Sequence, residues 1–169
     1  RDPFARHRYE SSIIRQFALV GGAGNTWTTI APMRQLHAAD EATRARVVAA
    51  LTAALASNPR VAFAYLYGSF AEGLAFHDID VGVSLAEGVT RDAEDELLMS
   101  ERLSRLVGLP TDVRILNGAP PTFLFHVLRG SRLTCRDEPH LAEIMERTVQ
   151  RYLDIEPVLR QATREAFAS

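Results

Sequence analysis

The chain has 169 residues, 47% of them hydrophobic and 24% charged, with a formal net charge of −2. That length fits one domain with a real core. The near-neutral balance does not suggest a generic binder of nucleic acid or of an anionic membrane.

Residues 1–32 lack a starting Met, a clean helical or strand period and a clear link to the rest of the chain. We read them as an N-terminal extension, with Met33 a natural start and one domain over residues 33–169. The arginine-rich beginning carries Asp2 and Glu10 and is a poor secretory signal. No run of 18 apolar residues exists to span a membrane, so the expected location is the cytoplasm. Within this stretch "VGGAGNT" (Val20–Thr26) lacks the endings of the known phosphate-cradling loops and reads as a turn.

From Asp40 the pattern sharpens. Asp40 is placed to cap a helix, Glu41 suits its first turn, and Val47, Leu51 and Leu55 recur every fourth residue. Asn58-Pro59 ends it. The run "VAFAYLY" (Val61–Tyr67) reads as a strand covered on both faces. Gly68-Ser69 and a short helical turn lead to a second strand, Asp78–Leu85. There Ile79, Val81, Val83 and Leu85 share one face, and Asp78, Asp80, Gly82 and Ser84 the other. A helix comes next with an acidic start (Asp92, Glu94, Asp95, Glu96), read as a solvated first turn, and stops at Gly108 and Pro110. Thr111–Asn117 is a third strand, with Asp112, Arg114 and Leu116 facing one way. "APPTFLFHVLRG" is a short helix and "SRLTCR" a last strand. Cys135, the single cysteine, excludes an internal disulfide and reads as a buried, inert thiol. A long helical region closes the chain, with Leu141, Ile144, Met145, Thr148, Tyr152 and Ile155 as its apolar stripe and Pro157 expected to kink or restart it. The alternation is α/β or α+β; strand order does not follow from it.

Two like charges on one strand face need compensation, and no basic residue lies within that strand. Divalent cations with oxygen ligands supply it: Mg²⁺ takes one or two carboxylates and completes its shell with substrate phosphates and water. Asp112, an acid beside apolar Val113 on another strand, is the candidate third ligand. Gly68-Ser69 at a strand end offers backbone N–H groups and a hydroxyl to phosphate oxygens, and Gly73 lets the adjoining turn reverse.

Joined, these positions read G-S-x-x-x-G-x-x-x-x-D-x-D, from Gly68 to Asp80. The motif resembles the active-site signature of the polymerase-β-like nucleotidyltransferases, and more narrowly the minimal nucleotidyltransferases of prokaryotes. The similarity continues through "TDVRILNGAPPTFLFHVLRGSRL" and "RYLDIEPVLRQ", covering about residues 33–167. It implies a small mixed β-sheet backed by helices, with a C-terminal helical region. It implies that Gly68 and Ser69 hold a triphosphate, that Asp78 and Asp80 bind two Mg²⁺ ions, and that Asp112 binds the catalytic ion and helps deprotonate the attacking hydroxyl. The loop before Asp78 is short, which sets His77 beside the site as an ordinary turn residue.

In many pairs of that group the minimal nucleotidyltransferase is the antitoxin of a HEPN-type toxin, and active members move AMP from ATP to a toxin tyrosine. The resemblance therefore implies a Mg²⁺-dependent protein adenylyltransferase. Two alternatives stay open: an antitoxin that masks its partner by contact alone, and nucleotidyl transfer to a small molecule such as an aminoglycoside. Tyr152 and Leu153 point different ways around the last helix, so one of them can face a partner or a second copy; homo- or hetero-oligomers both stay open.

Overall fold

The computed structural model describes residues 35–92 and 94–166, and Leu36–Ser169 forms a compact unit of its own. The expected extension over residues 1–32, its boundary at Met33 and the "VGGAGNT" turn lie outside the described residues.

Helix α1 (Glu41–Ser57) begins where its cap demands: the Asp40 carboxylate accepts a hydrogen bond from Thr43 N at 2.8 Å, and Val47, Leu51 and Leu55 are buried. Strand β1 (Val61–Tyr67) is buried at every position, as a strand with helices on both faces must be. The one-turn helix α2 (Gly68–Ala71) leads to β2 (Ile79–Leu85), and α3 (Asp95–Val107) to β3 (Thr111–Ile115). Then come α4 (Pro121–Leu128), β4 (Ser131–Cys135) and α5 (Glu138–Ala166). Cys135 is half-buried, and burial raises its thiol pKa, in keeping with an inert thiol.

The strands form one mixed sheet in the order β3-β2-β1-β4. β1 is antiparallel to β2 and β4, whereas β2 and β3 are parallel. A register shift between Val61 and Phe63 puts Ala62 and Phe63 on the same side, as a bulge does. Beyond it alternation resumes. Ala64 and Leu66 join Ile79, Val81, Val83, α1 and α3 in one apolar layer. Phe63, Tyr65 and Tyr67 join Leu116, α4 and α5 in the other. Gly82 is required on that second face: a Cβ there would lie 2.6 Å from Val127 Cγ1, so the missing side chain lets α4 settle on the sheet.

The acidic start of α3 departs from the solvated turn expected of it. Asp95 is buried, and both its carboxylate oxygens take Arg60 N–H groups, at 2.7 and 2.9 Å, while Asp92 N adds a third bond at 2.8 Å. Glu96 faces β3 and accepts from Ile115 N at 3.0 Å. It opens a ladder continued by Ser100 Oγ to Val113 N at 2.9 Å and Ser104 Oγ to Thr111 N at 2.9 Å. Four helical residues rise about 6 Å and two strand residues about 6.6 Å, so helix and strand stay in step. The outer edge of β3 is thereby closed without another strand.

The remaining differences are local. β2 begins at Ile79, leaving Asp78 just outside. β3 ends at Ile115, but the Asn117 side chain stands in for a further ladder residue: it accepts from Leu85 N at 2.7 Å and donates to Leu85 O at 3.1 Å. Helix α5 runs through Pro157 without restarting. Met145, expected in its apolar stripe, is exposed, whereas Leu141 and Thr148 are buried. Tyr152 stacks on Phe125, ring centroids 3.9 Å apart, and Leu153 faces outward. No described helix is long and apolar enough to cross a membrane.

Candidate active site

The antiparallel and parallel pairings bring three strand ends together: the C-terminus of β1 and the N-termini of β2 and β3. In the register Tyr67 pairs with Asp80, and Asp80 with Asp112. The three side chains form a row across the sheet, on neighbouring strands about 4.8 Å apart. Asp80 and Asp112, 32 positions apart in sequence, are thus direct neighbours. Asp78 sits two residues before Asp80 and is partly buried.

Gly68 meets this row from the other side. It has φ +74°, and a Cβ on it would come within 2.2 Å of Asp80 Oδ2. Two independent reasons therefore demand glycine: the left-handed backbone and the carboxylate pressed against it. Ser69 comes next, half-buried in α2. Gly73, at φ +78°, makes the reversal expected of it.

The turn carrying Gly68 and Ser69 is anchored by a residue whose role the sequence did not disclose. From α1, Arg44 donates to Ala39 O at 3.0 Å, to Leu74 O at 2.8 Å and to Phe70 O. Its guanidinium lies 4.9 Å from the Phe70 ring centre and 5.8 Å from that of Phe76, a cation–π arrangement. Phe70 and Phe76 pack edge to face with centroids 4.9 Å apart, and His37 pairs with Phe76 through two backbone bonds. Both ends of the turn are fixed. His77 is exposed beside Asp78.

Charge in the row is partly balanced from β3. Arg114 Nε lies 3.3 Å from Asp112 Oδ2, and Arg114 Nη1 lies 3.7 Å from Glu96 Oε2. The period-two alternation that put Arg114 on the face of Asp112 was the available signal, although β2 itself holds no cation. Tyr67, also missed, closes the floor. Its hydroxyl pKa is pushed far up, first by burial and then by the charges of Asp80, Asp112 and Asp78. Phe123 and His126 of α4 pack edge-on against its ring at 5.9 and 5.6 Å.

Among the described residues no group of three or more His, Cys, Asp or Glu side chains is gathered to hold a metal ion. The donors nonetheless fit a hard cation. They are carboxylate oxygens on adjacent strands, and Mg²⁺ needs only one or two of them when a substrate supplies phosphate oxygens.

Known proteins share this architecture. A chain in a structure of a tri-AMPylated Shewanella oneidensis HEPN toxin in complex with MNT antitoxin superposes with a TM-score of 0.57 at 18% identity, covering 75% of this chain and 99% of that one. A chain of a toxin–antitoxin structure with AMP-PNP gives 0.54 at 18% identity, covering 78% and 100%. A chain of the toxin–antitoxin MntA-HepT gives 0.52 at 17% identity, covering 77% and 100%. At these identities the likeness is one of fold. No curated protein matches the sequence significantly. The family model described as polymerase beta, nucleotidyltransferase, matches residues 50–139, which span β1, the Gly68-Ser69 turn and all three aspartates. The chain belongs to the polymerase-β-type nucleotidyltransferase family.

Proposed function

We propose that the chain transfers AMP from ATP to a tyrosine hydroxyl of a HEPN-type partner protein, as the antitoxin of a toxin–antitoxin pair in the cytoplasm. The observation that carries this reading is the Asp80–Asp112 register pair set against Gly68. It sets an oxygen-donor pair directly against the backbone of the Gly68-Ser69 turn. The fold neighbours, one crystallised with an AMPylated HEPN toxin and one with AMP-PNP, support AMP as the group moved and a protein as its acceptor.

In this reading the Gly68-Ser69 turn binds the triphosphate through backbone N–H groups and the Ser69 hydroxyl. Asp78 and Asp80 would hold two Mg²⁺ ions and Asp112 would share one of them. Such ions, when bound, stabilise the charge on the attacking and leaving oxygens. Asp112 accepts the proton of the attacking hydroxyl, with Arg114 fixing the orientation of its carboxylate. A bond forms between the acceptor oxygen and the α-phosphorus, the bond from that phosphorus to the β-bridging oxygen breaks, and pyrophosphate leaves. Tyr67 stays protonated beneath the carboxylates and keeps water from the floor of the site.

Incubation with α-labelled ATP, Mg²⁺ and the product of the neighbouring gene tests this. Label on a tyrosine of the partner is expected. A partner that is neutralised yet unlabelled would establish the second reading, an antitoxin acting by contact alone. The Arg114–Asp112 ion pair, which already neutralises one of the three carboxylates, favours that alternative.

A further inference from the structure

A cavity of about 210 Å³ lies on the same sheet face as the aspartates but at the other end of β2. It is lined by Phe63 and Ser84 of the sheet, by the segment from Leu116 to Leu124, and by α5 from His140 to Arg151. Asp80 and Ser84 are four strand residues apart, about 13 Å, and Val127, seated over Gly82, stands between them. The cavity is therefore separate from the aspartate row.

Its chemistry is one-sided. Arg147, Arg151 and His140 contribute nitrogen donors, Ser84 and Thr148 contribute hydroxyls, and no carboxylate is among the lining residues. Arg147 is held by Glu143, four residues earlier. Among the described residues, no hydrogen bond or ion pair engages Arg151 or either hydroxyl. Ser84 and Thr148 are each only 3% exposed. No described, sealed polar side-chain atom lacks a partner, so the two hydroxyls open onto the cavity. Open to the cavity, both hydroxyls are placed to donate to a bound acceptor. Phe63, the fully buried register partner of Ser84, and Leu116, Leu124 and Ile144 supply the apolar part of the lining.

We propose that this cavity binds a small organic anion, its phosphate or carboxylate head toward Arg151, Ser84 and Thr148 and its apolar body against Leu124 and Ile144. The volume is below the roughly 300 Å³ at which drug-sized sites begin, which suits a single small ring or short chain and not a whole nucleotide.

Phenyl phosphate, benzoate, inorganic phosphate and benzyl alcohol, each titrated into the full chain by isothermal calorimetry and amide NMR, test the proposal. Saturable binding of phenyl phosphate or benzoate is expected, with shifts around Ser84 and Thr148; which of the two binds identifies the head group. Arg151→Gln, an exposed change, should weaken it about tenfold, the worth of one charge-assisted hydrogen bond. Asp80→Asn should leave it intact. No saturation with either anion, equal binding by benzyl alcohol or by inorganic phosphate, undiminished binding by Arg151→Gln, or loss in Asp80→Asn would each overturn it. Because the aspartate row takes no part, the outcome is independent of the proposed transfer activity.

Discussion

Gly68 shows how one residue can carry both backbone and site. Its φ of +74° is open to glycine at no cost, and its missing side chain leaves room for the Asp80 carboxylate. Gly68→Ala must strain the backbone by about 1–2 kcal/mol and also displace Asp80 Oδ2. We expect a lowered Tm by calorimetry and a larger fractional loss of nucleotidyl transfer. Unchanged transfer beside a lowered Tm would show that the contact with Asp80 does not matter to the chemistry. Asp78 and Asp80 were legible from a period of two and the cost of adjacent like charges. Tyr67 and Arg114 were not singled out, because their part depends on which strands pair.

At the scale of elements, two devices tie α3 to the sheet. The first is the ladder from Glu96, Ser100 and Ser104 to the free N–H groups of β3. Ser100→Ala leaves the Val113 N–H without that partner and should cost about 1–3 kcal/mol, read as a lower urea midpoint at constant m. The second is Asp95, whose carboxyl is held below the usual carboxylate range, first by hydrogen bonding to Arg60 and then to Asp92 N. The sign is set by linkage: a lowered folded pKa gives stability that is complete above the unfolded value, near 3.9, and is lost as pH falls through the folded one. Asp95→Asn should therefore destabilise the chain at neutral pH and flatten the acid limb of its stability profile below about pH 4. An acid limb of wild-type slope in the variant would contradict the assignment. The acidic composition of this turn suggested solvent because a first-turn carboxylate suits the helix dipole in either setting. Only the approach of Arg60, 35 residues earlier, decides between them.

Across the whole molecule, element types and most boundaries could be read in advance, since hydrophobic period, caps and glycine stops are local signals. Strand order and register could not, because pairing is set by contacts distant in sequence. That missing information is what joins Asp112 to Asp80 and brings Tyr67 and Arg114 to the same row. The site emerges from a sheet order in which β2, flanked by β1 and β3, carries the central carboxylate. Such a row is a concentration of negative charge that folding alone does not reward.

The decisive measurement is the intact mass of a HEPN-type partner after incubation with ATP, Mg²⁺ and either the wild-type chain or Asp80→Asn, with Tm recorded for both. The account predicts a gain of AMP with the wild-type chain, a rate lower by about a thousandfold or more with the variant, and a variant Tm equal to or above that of the wild type. A variant that transfers AMP at the wild-type rate would contradict it.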